Sequence, residues 1–136
     1  MLYMLTPYEV VVKTALPAIR SILVRELYNR YGYKQLEIAS KLYITQAAVS
    51  YYLTESRGRF IDELMKYEDF IEKVHELARE IHEDNIDVNE LILRISDLIF
   101  YLMKNRYLCD LHKIIEPSID VEKCTLCPII TRKYNI

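Results

Sequence analysis

Residues 34 to 53 read Lys34-Gln-Leu-Glu-Ile-Ala-Ser-Lys-Leu-Tyr-Ile-Thr-Gln-Ala-Ala-Val-Ser-Tyr-Tyr-Leu53. Apolar or small residues recur in this stretch at the spacing that packs two short helices across a tight turn, as in a helix-turn-helix. The inward positions are Ile38, Ala39, Leu42, Ile44, Val49 and Tyr52. Thr45 is a good N-cap, because its hydroxyl can accept from an exposed backbone N–H. The stretch therefore predicts helices over 34–42 and 45–53.

A polar surface should begin where the second helix begins. Helices of this kind meet base edges in the major groove through the outward residues of their first turns. Those residues here are Gln46, Ala47, Ser50 and Tyr51. Gln46 and Ser50 are the predicted base readers, and an amide such as glutamine pairs well with adenine. Phosphate contacts are predicted for Gln35 and Thr45, and electrostatic anchoring for Arg57 and Arg59, although either arginine could instead be a solvated surface charge.

One position departs from the usual turn of this motif. The residue after Leu42 often needs a positive φ, which glycine adopts freely, and this chain has Tyr43 there. A tyrosine in the left-handed conformation costs on the order of 1 kcal/mol. Either the turn differs or packing offsets that cost.

The charge of the chain is divided along its length. Residues 1–60 carry eight Lys and Arg against four Asp and Glu, a net +4, and residues 61–136 carry the balance of −6. A basic half that contains the predicted helix-turn-helix is typical of a surface facing phosphates. The acidic half should face away from DNA. Some compact helical units of this kind bind only proteins, so the pattern alone leaves that alternative open.

Further helices are expected on both sides of the motif. Thr6-Pro7-Tyr8-Glu9 is a helix-start pattern, Pro17 should bend or restart that helix, and Gly32 should end the helix before it in a left-handed conformation. An amphipathic pattern predicts a helix from Phe60 to about residue 83. A second capping box at Asp87 predicts another helix to about residue 105, with inward residues Leu91, Ile92, Ile95, Leu98, Ile99 and Leu102. The two should pair as a hairpin, whose apolar residues favour a homodimer.

A family resemblance becomes visible in several segments. They are residues 7–20, Gln35-Leu-Glu-Ile-Ala39, Ile44-Thr-Gln-Ala-Ala-Val-Ser50 and Arg57-Gly58. Over residues 6–60 the chain resembles archaeal transcriptional regulators with a Cro/XRE-type helix-turn-helix. The resemblance implies a four- or five-helix DNA-binding domain and a role in transcription. Members often carry cysteines, commonly one directly after the first proline, but here that place is Tyr8.

All three cysteines and one histidine lie close together near the end of the sequence. Cys109, His112, Cys124 and Cys127 form a C-x2-H and a C-x2-C pair separated by eleven residues. Two such pairs can supply four ligands to one metal. The alternatives are that the cysteines pack as small apolar residues, that Cys124 and Cys127 form a disulfide, and that His112 simply packs. His75 and His82 are interpreted as surface or edge residues.

The sequence does not decide whether the predicted site holds zinc or an iron–sulfur cluster. A tetrahedral zinc site suits Cys3His and would order a tail with little core of its own. An iron–sulfur cluster is the rival, since Pro128 follows Cys127 as in ferredoxin-type runs, and the resemblance to cysteine-bearing regulators favours a redox-responsive cluster. Zinc would indicate a structural role and a cluster would indicate a sensor.

These patterns combine into one prediction. The fold should be all-α, with a DNA-binding domain at 1–59, a dimerisation hairpin at 60–106 and a short irregular metal-binding tail at 107–136. The expected function is a dimeric, sequence-specific regulator bound to double-stranded DNA, and the alternative is a helical protein-interaction or assembly module with a structural zinc site. An enzyme is not expected, since phosphate-loop and nucleophile motifs are lacking. Neither a transmembrane helix nor a signal peptide is expected, which favours a cytoplasmic location.

Overall fold

A computed structural model describes residues 4–55 and 58–136, and this part of the chain is helical with no strand. The all-α prediction is confirmed. The α-helices, numbered α1 to α9 in chain order, are Pro7–Val10, Leu16–Asn29, Gln35–Leu42, Gln46–Thr54, Arg59–Leu64, Glu68–Asp84, Val88–Lys104, Tyr107–Ile115 and Leu126–Lys133. A π-helical segment, Val11–Ala15, joins α1 to α2.

The predicted capping box starts the first helix. The Thr6 hydroxyl oxygen accepts from the Glu9 amide at 3.2 Å, and a Glu9 carboxylate oxygen accepts from the Thr6 amide at 3.0 Å. Pro17 has no N–H and cannot continue a regular hydrogen-bond ladder. The π segment lies directly before it, and the Leu16 amide donates to the Val11 carbonyl five residues back. The restart predicted at Pro17 is therefore accommodated by a π bulge.

The helix α2 lies at the centre of the fold. It contacts α3, α4, α5 and α6, and its buried residues include Ile19, Leu23 and Leu27 at no measurable exposure. Gly32 follows its end with a φ of 71°, as predicted, and lets the Tyr33 amide donate back to the Leu27 carbonyl at 3.1 Å. The chain can thereby reverse into α3.

The single helix predicted from Phe60 to residue 83 is wrong, because the structure divides it at residues 65–67. The apolar periodicity runs through both pieces, so sequence alone gives no sign of the break. Tyr67 stacks on Tyr107 with ring centroids 3.9 Å apart, and its hydroxyl donates to carboxylate oxygens of Glu63, at 3.1 Å, and Asp110. The contacts with Tyr107 and Asp110 on α8 accompany the break between α5 and α6.

The helices α6 and α7 contact each other as the predicted hairpin does. Asp87 caps α7, since its side chain accepts from the Glu90 amide at 2.9 Å. Leu91, Leu98 and Leu102 are buried as expected. Ile92 is the exception: the prediction that it points inward is wrong, because it is 57% exposed. Its neighbour Leu93 is 60% exposed, so this part of α7 presents apolar side chains outward.

The last 30 residues are more ordered than an irregular tail. They form α8 and α9, which both contact α7, and α8 also contacts α1, α5 and the π segment. The expectation of an irregular tail is thus wrong for residues 107–115 and 126–133, where helices form and Leu108 and Leu111 of α8 are buried, while residues 116–125 between them have no helix. One hydrophobic cluster includes residues from all three predicted domains. In the described part of the chain, no helix has the length and apolar character needed to cross a membrane.

Candidate nucleic-acid interface and cysteine cluster

The turn between α3 and α4 has a positive φ at Tyr43, the position where the sequence lacks the usual glycine. Tyr43 adopts the left-handed conformation, with φ 55° and ψ 41°. The next amide, of Ile44, donates to the Ala39 carbonyl at 3.1 Å, the long bond of a Schellman motif. The Tyr43 hydroxyl donates to the Ile86 carbonyl at 3.3 Å, in the connection between α6 and α7. This bond and the surrounding packing offset part of the conformational cost.

The inward residues of the α3–α4 unit are placed as predicted. Ile38, Ala39, Leu42 and Val49 are buried, and Ile44 and Tyr52 are partly buried against the same core. At the C-terminal end of α4, the Arg25 guanidinium donates to the Glu55 carbonyl at 2.6 Å and links the helix to α2. The unit is therefore held from both ends of α4.

The predicted cap of α4 is present. The Thr45 hydroxyl oxygen accepts from the Ala48 amide at 3.1 Å, which leaves its hydroxyl hydrogen free to donate outward. The amides of the first turn have no partner in the preceding turn of the helix. A helix start of this kind carries partial positive charge.

The outward face of α4 presents the predicted residues to solvent. Gln46, Ala47 and Tyr51 are exposed and Ser50 is half-buried, while Val49 between them is fully buried. The Tyr51 ring packs edge-on to Tyr52, with centroids 5.8 Å apart. The face thus combines an amide, a hydroxyl, a methyl and an aromatic ring, which can contact base edges and thymine methyl groups.

The starts of α3 and α4 are brought together. Gln35 and Gln46 line one surface groove with Lys34, Leu36 and Glu37. Gln35 is half-buried there, and Leu36 is 66% exposed. Lys34 and Leu36 were missed by sequence reasoning. Lys34 directly precedes α3, and a cation at the edge of a predicted base-reading surface was the signal that could have found it.

Of the two arginines predicted to bind phosphate, only Arg59 lies among the described residues. Arg59 is exposed at the first position of α5, and its guanidinium carbon lies 5.4 Å from the centre of the Phe60 ring. Arg57 lies outside the described residues. A cation at a helix start is unfavourable to the helix dipole, so an anion bound at Arg59 would offset that cost.

Comparison with protein-family models, with curated proteins and with solved structures finds no match for this chain.

Two of the cysteines lie in the interior. Cys109 on α8 and Cys127 on α9 are both buried. Interaction with the Cys127 thiol, aided by the Arg106 guanidinium, lowers the pKa of Cys109 to about 7. The same interaction and burial raise the pKa of Cys127. Cys124 is half-buried and lies close enough to affect Cys127 electrostatically.

The fourth predicted ligand has another partner. His112 is buried, and its Nε2 lies 2.6 Å from a carboxylate oxygen of Glu116, one turn further along. Glu116 also accepts from the Leu5 amide at 3.2 Å, so the pair fastens the start of the described chain to α8. Among the described residues, no group of three or more His, Cys, Asp and Glu side chains is placed to hold a metal ion.

Proposed function

We propose that this protein is a sequence-specific DNA-binding regulator of transcription that uses the α3–α4 unit as a helix-turn-helix. The observation that supports this most is the outward face of α4. A helix capped by Thr45 presents Gln46, Ala47, Ser50 and Tyr51, while the residue between them is anchored in the core. This is the arrangement that a recognition helix needs in the major groove.

The surroundings of α4 support the same proposal. Gln35 and Lys34 lie beside Gln46 in the surface groove between the starts of α3 and α4. If Gln46 entered the DNA major groove, these two side chains would lie near a phosphate at its edge. Thr45 retains a hydroxyl hydrogen to donate to phosphate oxygen. The basic charge of residues 1–60 adds a long-range attraction to the polyanion. Position and charge thus favour nucleic acid over a neutral partner.

The test is DNA binding measured by fluorescence anisotropy at several salt concentrations, after selection of a site from random duplexes. We expect the selected site to bind more tightly than random DNA, with an affinity that falls as salt rises. The double variant Q46A/S50A should lose about 10- to 1000-fold in affinity for the selected site and retain the weak non-specific binding.

The matched control is N89A/S118A, which removes one exposed amide and one exposed hydroxyl away from α4. It should bind the selected site as the wild type does. Full specificity in Q46A/S50A would exclude these two side chains as base readers. Absence of any salt-dependent DNA binding by the wild type would overturn the proposed function.

A protein-interaction or assembly module, with a structural zinc site, is the second candidate. The exposed apolar side chains of Ile92 and Leu93 on α7 give it a binding surface, because exposed apolar surface often marks a partner site, and that partner can be another protein or a second copy of this chain. A stoichiometric protein partner that is retained on α7, together with no retention on DNA, would support this candidate over the first.

A metal centre at Cys109, His112, Cys124 and Cys127 stays a prediction, and the imidazole of His112 would have to leave Glu116 to join it. Metal content and the absorption spectrum of protein purified without oxygen decide between zinc and an iron–sulfur cluster. Iron and sulfide with broad absorption near ~400 nm would indicate a cluster, and one zinc per chain in a colourless protein would indicate a structural site.

A further inference from the structure

An open cleft lies between α2, α4 and α5, and it shares no residue with the groove that contains Gln35 and Gln46. Its volume is about 310 Å³, which is at the small end of the usual range of about 300–1,000 Å³ for sites that bind small molecules. Apolar and aromatic side chains of all three helices line it, namely Pro17, Ala18, Tyr51, Tyr52, Phe60 and Ile61. The cleft therefore offers a partly aromatic chamber to a small ligand.

One side of this cleft carries a positive charge. The Arg25 Nε donates to the Ser21 hydroxyl oxygen at 3.2 Å, and an Nη group of the same guanidinium donates to the Glu55 carbonyl at 2.6 Å. Both acceptors are neutral, and among the described residues no carboxylate forms an ion pair with Arg25. A guanidinium has five N–H donors, so three of them remain for a further acceptor.

A buried hydroxyl adds a second donor to the same side. Ser21 lines the cleft and is only 4% exposed. Its oxygen accepts from Arg25, but within the described part of the chain its hydroxyl hydrogen has no acceptor. The two residues are one helical turn apart, so they present these donors from one face of α2. Unused donors next to an apolar chamber are complementary to an anion that carries an apolar group.

We propose that this cleft binds a small monocarboxylic acid with an aromatic group. The carboxylate would accept from the guanidinium of Arg25, whose planar fork matches its two oxygens, and from the hydroxyl of Ser21. The aromatic group would pack against Ala18 and Ile61, which are both buried. An inorganic phosphate would leave those apolar walls unfilled. Glu55 also lines the cleft as an exposed residue, and its charge disfavours a ligand with a second negative group.

The position of the cleft gives the ligand direct contact with α4. Tyr51 lines the cleft and also belongs to the predicted DNA-binding face. Binding of the acid is nevertheless measured without DNA, so a failure of the proposed DNA binding and a failure of ligand binding are distinguishable.

A titration followed by ligand-observed NMR tests the proposal on the full-length protein. Benzoate, phenylacetate and 2-naphthoate, which increase in size, are compared with their neutral amides. We expect saturable binding of at least one acid and binding of its amide that is weaker by about 10-fold or more, because only the acid makes charge-assisted hydrogen bonds. Nuclear Overhauser contacts from the bound acid should reach the methyl groups of Ala18 and Ile61.

Variants test the role of the guanidinium. R25Q should weaken binding of the acid by about 10-fold or more and should leave binding of the amide nearly unchanged. The matched control is R79Q, which removes an exposed cation on α6 outside the cleft, and it should bind the acid as the wild type does.

Several results would overturn the proposal. They are equal affinities of acid and amide, an R25Q variant that binds the acid as tightly as R79Q, contacts of the bound acid with residues outside the cleft, and no saturable binding of any of the three acids. The comparison of acid with amide and the contacts to Ala18 and Ile61 use the wild type, so they decide the question even if R25Q does not fold.

Discussion

Tyr43 occupies a left-handed conformation that glycine would adopt without strain, and it does so at the turn that orients α4. Its ring is half exposed, and its hydroxyl reaches the Ile86 carbonyl outside the α3–α4 unit. A side chain here therefore trades backbone strain for a contact with the α6–α7 connection. The sequence indicated the strain, but the identity of the partner depends on the tertiary structure.

Replacement of Tyr43 separates the cost of the backbone strain from the gain of the contact with Ile86. Y43A keeps the strain and loses the contact, while Y43G loses both. We expect Y43G to be more stable than Y43A by about 1 kcal/mol in urea unfolding, because only glycine is free of the Cβ penalty at positive φ.

The comparison with Y43F completes this series, since that variant loses only the hydroxyl and should cost about 1 kcal/mol relative to wild type. Equal stabilities of Y43A and Y43G would show that the turn relaxes out of the left-handed region.

At the scale of whole elements, one carboxylate joins three helices. Asp69, in the first turn of α6, accepts from the hydroxyls of Tyr101 on α7 and Tyr107 on α8. Tyr107 is stacked on Tyr67, whose contacts accompany the break between α5 and α6. Periodicity in the sequence located the helices but not this junction, because the residues that form it are far apart along the chain.

The junction makes a pH-dependent contribution to stability. Hydrogen bonds from Tyr101, and then Tyr107, lower the pKa of Asp69 below its ordinary value of 3.8. A folded pKa below the unfolded one stabilises the folded state above pH 3.8, and this contribution disappears as pH falls through the lowered pKa. We expect D69N to melt below the wild type at pH 6 and the difference to shrink at the acid end.

D97N is the matched control, since Asp97 is an exposed carboxylate on α7. Its melting temperature should stay near that of wild type at pH 6. A D69N difference that stays constant with pH would mean that the tyrosine contacts do not depend on the charge of Asp69.

For the whole molecule, the exposed apolar part of α7 supports the homodimer that the sequence predicts. Ile92 and Leu93 are each more than half exposed, although the helix around them is packed on its other side. A helix-turn-helix protein that reads a two-fold site places its recognition helices about 34 Å apart through such an interface. We propose that α7 contributes this interface.

The double variant I92K/L93K tests that interface. It should run as a monomer in size-exclusion chromatography with light scattering, because charged side chains would be desolvated between the two copies. Its helical circular dichroism should be unchanged. N89K, an exposed polar position on the same helix, should remain dimeric. A monomeric wild type would contradict the dimer, and a dimeric I92K/L93K would place its interface elsewhere.

Local chemistry determined much of this protein in the sequence itself. The caps at Thr6, Thr45 and Asp87 and the positive φ of Gly32 depend on neighbours within a few residues, and the structure has all four. The inward residues of α3 and α4 follow from helical periodicity in the same way. The outward face of α4, with its predicted base-reading residues, is the complement of that pattern.

Tertiary structure alone decided what depends on residues far apart in the chain. The division of α5 from α6 accompanies Tyr67 packing on α8, and Ile92 is exposed because the packing of α7 does not cover it. Glu116, whose carboxylate meets the His112 imidazole one turn back, also accepts from the Leu5 amide 111 residues away, a contact that spacing could not indicate. Spacing specifies which side chains can share a face of one helix, and packing between helices decides which partner each one meets.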